Sequence, residues 1–75
     1  GAMDPEAAWT RLLDALEAGD EKEAEIVALE LLSWINRGGF PPDVIPGRLL
    51  PRDWSRAVVH TACLAVWNKM DFSDW

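Results

Sequence analysis

The fold is decided by the apolar stretch AVVHTACLAVW, residues 57–67. It continues a helical pattern that starts after Pro51, and we predict a helix over about 52–69. Its apolar side chains surround the helix axis almost completely, with His60 and Thr61 as interruptions. A helix that is apolar all round is buried all round. Because the chain has 75 residues, it is short of material to cover this helix, so we expect either the preceding loop or a partner chain to do so.

The N-terminal half predicts two helices joined by a tight turn. Gly19 ends a helix over about 6–18, and Asp20 is placed to cap a helix over about 21–37, with Glu23 completing a capping box. Such a short turn packs the two helices antiparallel as a hairpin. The first helix should bury the stripe Trp9, Leu12, Leu13 and Leu16. The second should bury Ala24, Val27, Ala28, Leu31, Trp34 and Ile35, with Leu32 at the margin.

The stretch 38–51 contains four prolines and three glycines, which break helices and sheet ladders. It also carries apolar residues that a flexible linker would lack, namely Phe40, Val44, Ile45, Leu49 and Leu50. We therefore predict an ordered loop that packs these side chains onto the helices. The fold class is all-α: a compact three-helix domain, with a helical hairpin, an ordered Pro/Gly-rich loop and a central apolar third helix.

Residues 1–5 read as the remnant of a protease site and a cloning junction, which leaves a single domain over 6–75. Within that remnant, Asp4 and Pro5 are suited to the N-cap and the first turn of the first helix.

The turn of the hairpin resembles a known family. The run Leu12-Leu13-Asp14-Ala15-Leu16-Glu17-Ala18-Gly19-Asp20, with Ala24 after it, is similar to the turn of tetratricopeptide-type helical hairpins. The resemblance covers about one hairpin, and residues 52–69 show no second copy of it. It implies a helical-hairpin geometry and the binding of a peptide or protein.

Composition excludes several classes of protein. With 49% hydrophobic residues the chain is not a disordered acidic tail. Its 7 basic and 13 acidic residues give a net charge of −6, which makes nucleic acid and anionic membranes unfavourable partners. No apolar run approaches the roughly 20 residues of a membrane span. The one cysteine, Cys63, excludes an internal disulfide and favours a reducing, cytoplasmic location.

Catalytic and metal-binding chemistry lack the residues they need. His60 and Cys63 lie three apart on one predicted helix, but zinc takes three or four ligands, and the chain has no other histidine or cysteine. The carboxylate pairs belong to solvated helix surfaces, and Gly38-Gly39-Phe40 lacks the Lys and Ser/Thr of a phosphate loop. We therefore predict no enzyme, no cofactor and no metal site.

The excess of apolar residues predicts a protein-interaction module that binds a partner protein or a second copy of itself. Five tryptophans rarely all fit inside so small a core, so we expect Trp67 or Trp75 to be exposed. Ile26 and Leu29 lie off the buried side of the second helix and mark a second contact surface, unless the loop covers them. The predicted partner-binding residues are Val59, Cys63, Val66, Trp67, Ile26, Leu29 and Trp75.

The charge pattern leaves an alternative open. Residues 1–30 hold nine acidic and two basic residues, a net charge of −7, whereas the remainder has a net charge of +1. Arg48, Arg52 and Arg56 gather near the start of the third helix as candidate contacts for a carboxylate or phosphate. The alternative is a nucleic-acid-associated regulator, either through these arginines or through the acidic hairpin as a mimic of DNA.

Overall fold

The computed structural model describes residues 3–68, which form three α-helices and no strand. The helices are α1 (Pro5–Ala18), α2 (Glu21–Asn36) and α3 (Arg52–Trp67). The all-α three-helix class is therefore confirmed, and each helix start lies within one residue of its predicted position. The predicted end of α3 at residue 69 lies outside the described residues.

Local capping explains where the first two helices begin. The Asp4 carboxylate accepts a hydrogen bond from the Glu6 N–H at 3.1 Å, and Pro5 occupies the first helical position. The Asp20 carboxylate accepts one from the Glu23 N–H at 3.2 Å. Between them, Gly19 ends α1 with a left-handed φ of 73°. The predicted capping box is half formed, because the Glu23 carboxylate accepts a hydrogen bond from the Arg11 guanidinium.

The central helix is α2, which corrects the expectation that the apolar third helix is central. Within residues 3–68, α1 and α3 both pack on α2 and make no contact with each other. The core lies between α2 and its two neighbours, and it includes Leu12 from α1, Leu31 from α2 and Val59 from α3, all fully buried. Because α3 has one helical neighbour, its other sides depend on the loop or on solvent.

The buried side of α1 is narrower than predicted. Leu13 and Leu16 are both 45% exposed, so the expected stripe that included them is wrong. On the side that packs on α2, two alanines accompany two large residues, and the buried hydrophobic members are Ala8, Trp9, Leu12 and Ala15. Because α3 makes no contact with α1, no second helix covers the side of α1 on which Leu13 projects.

The loop 37–51 is fastened to the helices near its start. The Trp34 Nε1–H donates a hydrogen bond to the Phe40 carbonyl at 2.8 Å, and the two rings meet edge to face at 5.8 Å and 82°. Further along, the Asp43 N–H donates to the Glu6 carboxylate of α1 at 2.7 Å. Pro42 is fully buried, and Val44 packs on the core. The prediction of an ordered loop agrees with these anchors.

The second half of the loop turns its apolar side chains outward. Ile45 is 44% exposed and Leu49 is completely exposed, and Phe40 in the first half is 53% exposed. The expectation that the loop packs its apolar residues onto the helices is therefore wrong for Ile45 and Leu49, whereas the Phe40 ring, although half exposed, packs against Trp34 of α2. A turn explains the difference, because the Arg48 N–H donates to the Ile45 carbonyl at 3.3 Å and the chain then leads directly into α3.

Candidate interaction surface

One side of α3 is covered by no other helix of residues 3–68. It carries Ala57, His60, Leu64 and Trp67, whose spacings of three, four and three place them on one side of a helix. Leu64 is 41% exposed and Trp67 is 43% exposed, and α2 is the sole helix in the described chain that contacts α3. We call these four residues the outer side of α3. The predicted exposure of Trp67 is confirmed.

The opposite side of α3 faces α2 and corrects part of the predicted surface. Val59 and Cys63 are fully buried in the core cluster, and Val66 packs against the same cluster. Val59, Cys63 and Val66 were predicted to contact a partner, and they instead form the packing between α3 and α2. Leu64, which the sequence reasoning missed, takes their place on the exposed side.

A signal for the outer side was present in the sequence. Thr61 and Asn68 lie seven residues apart, on the same side of the helix as Leu64. Both polar residues are exposed. These two polar residues therefore mark the side of α3 that faces solvent. The apolar residues alone do not identify that side.

The second predicted surface lies on α2. Ile26 is 51% exposed and Leu29 is 55% exposed, and the loop does not cover them. They project away from the buried side of α2, and Ser33 continues their row. Trp75, the remaining predicted partner-binding residue, lies outside the described residues.

The three arginines have different roles in the structure. The Arg56 guanidinium donates to the carbonyls of Ile35 and Gly39, both at 3.4 Å. It therefore ties α3 to the C-terminal end of α2, where a positive charge is favourable. Arg48 and Arg52 are exposed, and neither forms an ion pair within residues 3–68.

The lone thiol is part of the core. Burial raises the pKa of Cys63 from 9.0 to about 11, so the thiolate is disfavoured. His60, one turn earlier, is half-buried. Within residues 3–68, no three side chains of the His, Cys, Asp or Glu type are grouped so as to hold a metal ion.

An open cleft of about 460 Å³ separates the start of α1 from the end of α2. Its polar groups are largely paired: Arg11 binds the Glu23 carboxylate and lies 3.9 Å from Glu30, and these two carboxylates raise the pKa of Arg11. Arg37 donates to the Ser33 carbonyl. A set of groups that already satisfy one another offers little to a ligand.

Comparison with protein-family models, with curated proteins and with solved structures finds no match for this chain. The resemblance of the hairpin turn to tetratricopeptide hairpins therefore rests on the turn residues alone. No helix among residues 3–68 has the length and apolar content needed to span a bilayer.

Proposed function

We propose that this chain is a non-catalytic protein-interaction module that binds a partner protein or a second copy of itself. The outer side of α3, with the loop and the exposed tryptophans, forms the binding surface. The observation that supports the proposal is the exposure of Leu64 and Trp67 on a helix that, in the described residues 3–68, has a single helical neighbour. Tryptophan is among the residues most often found as anchors of protein interfaces.

The dimensions of α3 fit an interface of ordinary size. A helix of 16 residues is about 24 Å long. A standard interface buries about 800 Å² on each partner, and the surface of this chain totals 5348 Å². A partner of ordinary size would therefore cover about one seventh of the molecule, which the outer side of α3 and its flanks can provide.

Two observations support a non-catalytic module that works in a reducing compartment. In the cleft between α1 and α2, Arg11 and Glu30 already form an ion pair, and Arg37 donates to the Ser33 carbonyl. The one cysteine is free and buried, as expected for a cytoplasmic protein that needs no disulfide.

The test places a photo-reactive residue at position 64 and, as a matched control, at position 13. Leu13 is the control because it is a leucine of nearly equal exposure on α1. Cross-linking is carried out in extract of the source cells and on the purified chain, and sedimentation velocity is measured over a range of concentrations.

The proposal predicts a discrete cross-linked product from position 64 that is absent from position 13. Its mass identifies a second copy or another protein. In the chain labelled at position 64, Trp67→Glu on the same outer side of α3 should abolish formation of the product, whereas Leu13→Glu should not. If position 64 gives no discrete product and the chain sediments as a monomer at every concentration, the proposal is wrong.

A further inference from the structure

The loop before α3 presents a second surface, whose chemistry differs from that of the outer side of α3. Leu49 is completely exposed, and Ile45 is 44% exposed. Arg48 precedes Leu49 directly, and Arg52 follows it three residues later. We call Ile45, Arg48, Leu49 and Arg52 the loop patch.

Leu49 has no role in the packing of residues 3–68, and the two arginines beside it form no ion pair there. Leu49 loses no water-exposed area on folding, so it adds nothing to the hydrophobic stabilisation of the fold. Arg48 and Arg52 form no ion pair within residues 3–68, whereas Arg56 binds two backbone carbonyls. The loop patch therefore holds apolar and cationic groups that do not stabilise the fold of residues 3–68.

The loop patch is positioned by the fold before any partner arrives. The loop is fastened by Trp34 to Phe40 and by Glu6 to Asp43, and buried Pro42 lies between these anchors. Consecutive Cα atoms lie 3.80 Å apart, so the Cα atoms of Arg48 and Arg52 are within about 15 Å of each other. A site held in place in this way costs less conformational entropy on binding than a free loop would.

Charge complementarity identifies the partner. Residues 45–52 hold two arginines and no acidic residue, with the exposed Asp43 and Asp53 just outside this range, whereas residues 1–30 have a net charge of −7. Carboxylates are therefore repelled by the hairpin and attracted at the loop patch. Arginine also binds a carboxylate through two parallel hydrogen bonds.

We propose that the loop patch binds an acidic, apolar peptide segment of a partner protein. A large apolar side chain of that segment would pack on Leu49 and Ile45, and its carboxylates would pair with Arg48 and Arg52. This inference rests on the proposed function, because it names the chemistry of the partner at one part of the interaction surface.

The test uses two fluorescein-labelled model peptides and measures their fluorescence anisotropy with the full chain. In one peptide glutamates alternate with leucine and phenylalanine, and in the other lysines replace the glutamates. The variants are Arg48→Gln with Arg52→Gln, and Leu49→Ser. The controls are Lys22→Gln, an exposed cation on α2, and Leu13→Ser, an exposed leucine on α1.

The glutamate peptide should bind and the lysine peptide should not. Loss of both arginines should weaken binding by about tenfold, as expected for two exposed charge contacts near the upper end of their usual strength. Leu49→Ser should weaken it roughly fivefold through lost apolar burial. The two control variants should bind like the parent chain.

Three outcomes would overturn the inference: no binding of the glutamate peptide, equal binding of both peptides, or equal losses in Lys22→Gln and in the arginine variant. Tight binding of a single-stranded oligonucleotide that needs the arginines but not Leu49 would assign the loop patch to nucleic acid instead. Leu64→Glu separates the two proposals. It places a charge on the outer side of α3 and should abolish partner binding there, whereas peptide binding at the loop patch should stay unchanged.

Discussion

Gly39 is the position at which a single added carbon should loosen the loop. A Cβ built on Gly39 would lie 2.5 Å from the Trp34 Nε1 and 2.6 Å from its Cδ2. Carbon atoms pack best at about 3.5–4.0 Å. The Gly39→Ala variant must therefore move the indole ring by about 1 Å or displace the loop.

The indole ring is held by contacts that such a movement breaks. Its N–H donates to the Phe40 carbonyl at 2.8 Å, the two rings meet edge to face, and the Arg37 guanidinium lies 6.0 Å from the centre of the indole ring. The hydrogen bond contributes about 1 kcal/mol and the aromatic pair about 0.5–1.5 kcal/mol. Alanine restricts the unfolded chain more than glycine and offsets about 0.5–1 kcal/mol of this loss.

The net cost of Gly39→Ala is therefore about 0.5–2 kcal/mol, which lowers the melting temperature by roughly 2–16 °C in a domain of this size. Thermal unfolding followed by far-ultraviolet circular dichroism measures it. In a Trp34→Ala background the ring is absent, and the same glycine substitution should cost nothing and should stabilise the chain by up to about 0.5–1 kcal/mol. A melting temperature for Gly39→Ala equal to or above that of the parent chain would refute this explanation of the loop anchor.

Three further predictions concern the helices and the core. Asp20→Ala should lower the free energy of unfolding by about 1 kcal/mol because α2 loses its N-cap. Asp20→Asn keeps the hydrogen-bond acceptor and should lose little stability. Chemical denaturation compares the two variants. Arg11→Gln should leave the denaturation midpoint close to that of the parent chain, because the ion pairs of Arg11 with Glu23 and Glu30 are solvent-exposed. A loss as large as that of Asp20→Ala in the same denaturation assay would contradict this. Because the pKa of Cys63 is raised in the folded state from 9.0 to about 11, its contribution to stability is complete below pH 9 and is lost as the pH rises to 11. The denaturation midpoint of the parent chain should fall across that pH interval, and the midpoint of Cys63→Ala should fall less steeply.

The positions of the helices were predictable because local residues determine them. Asp20 and Gly19 mark a helix start and a helix end by their own chemistry, and the structure places α1 and α2 on either side of them. The Pro/Gly-rich content of 38–51 likewise excludes a helix regardless of the tertiary contacts. These features need no knowledge of which helix packs on which.

The arrangement of the helices was harder to predict because α3 is apolar on nearly every side. A uniform pattern does not say which side meets α2, so Val59 and Cys63 were assigned to the surface and Leu64 was missed. The helical spacing of Leu13 is compatible with a buried position and with an exposed one. Its exposure follows from the absence of contact between α1 and α3, which is a property of the whole fold.

The central claim, that residues 3–68 leave the outer side of α3 uncovered for a partner, is tested most directly by thiol labelling at position 64. In a Cys63→Ala background, Leu64→Cys and Val59→Cys each carry one thiol, and the rate of reaction with a chromogenic disulfide reagent is measured in dilute solution and in the presence of the partner. We predict that Leu64→Cys reacts in dilute solution at nearly the rate of the unfolded chain and becomes protected when the partner binds. Val59→Cys should be protected throughout. If Leu64→Cys is as protected as Val59→Cys in the dilute monomer, the chain covers α3 by itself and the claim is contradicted.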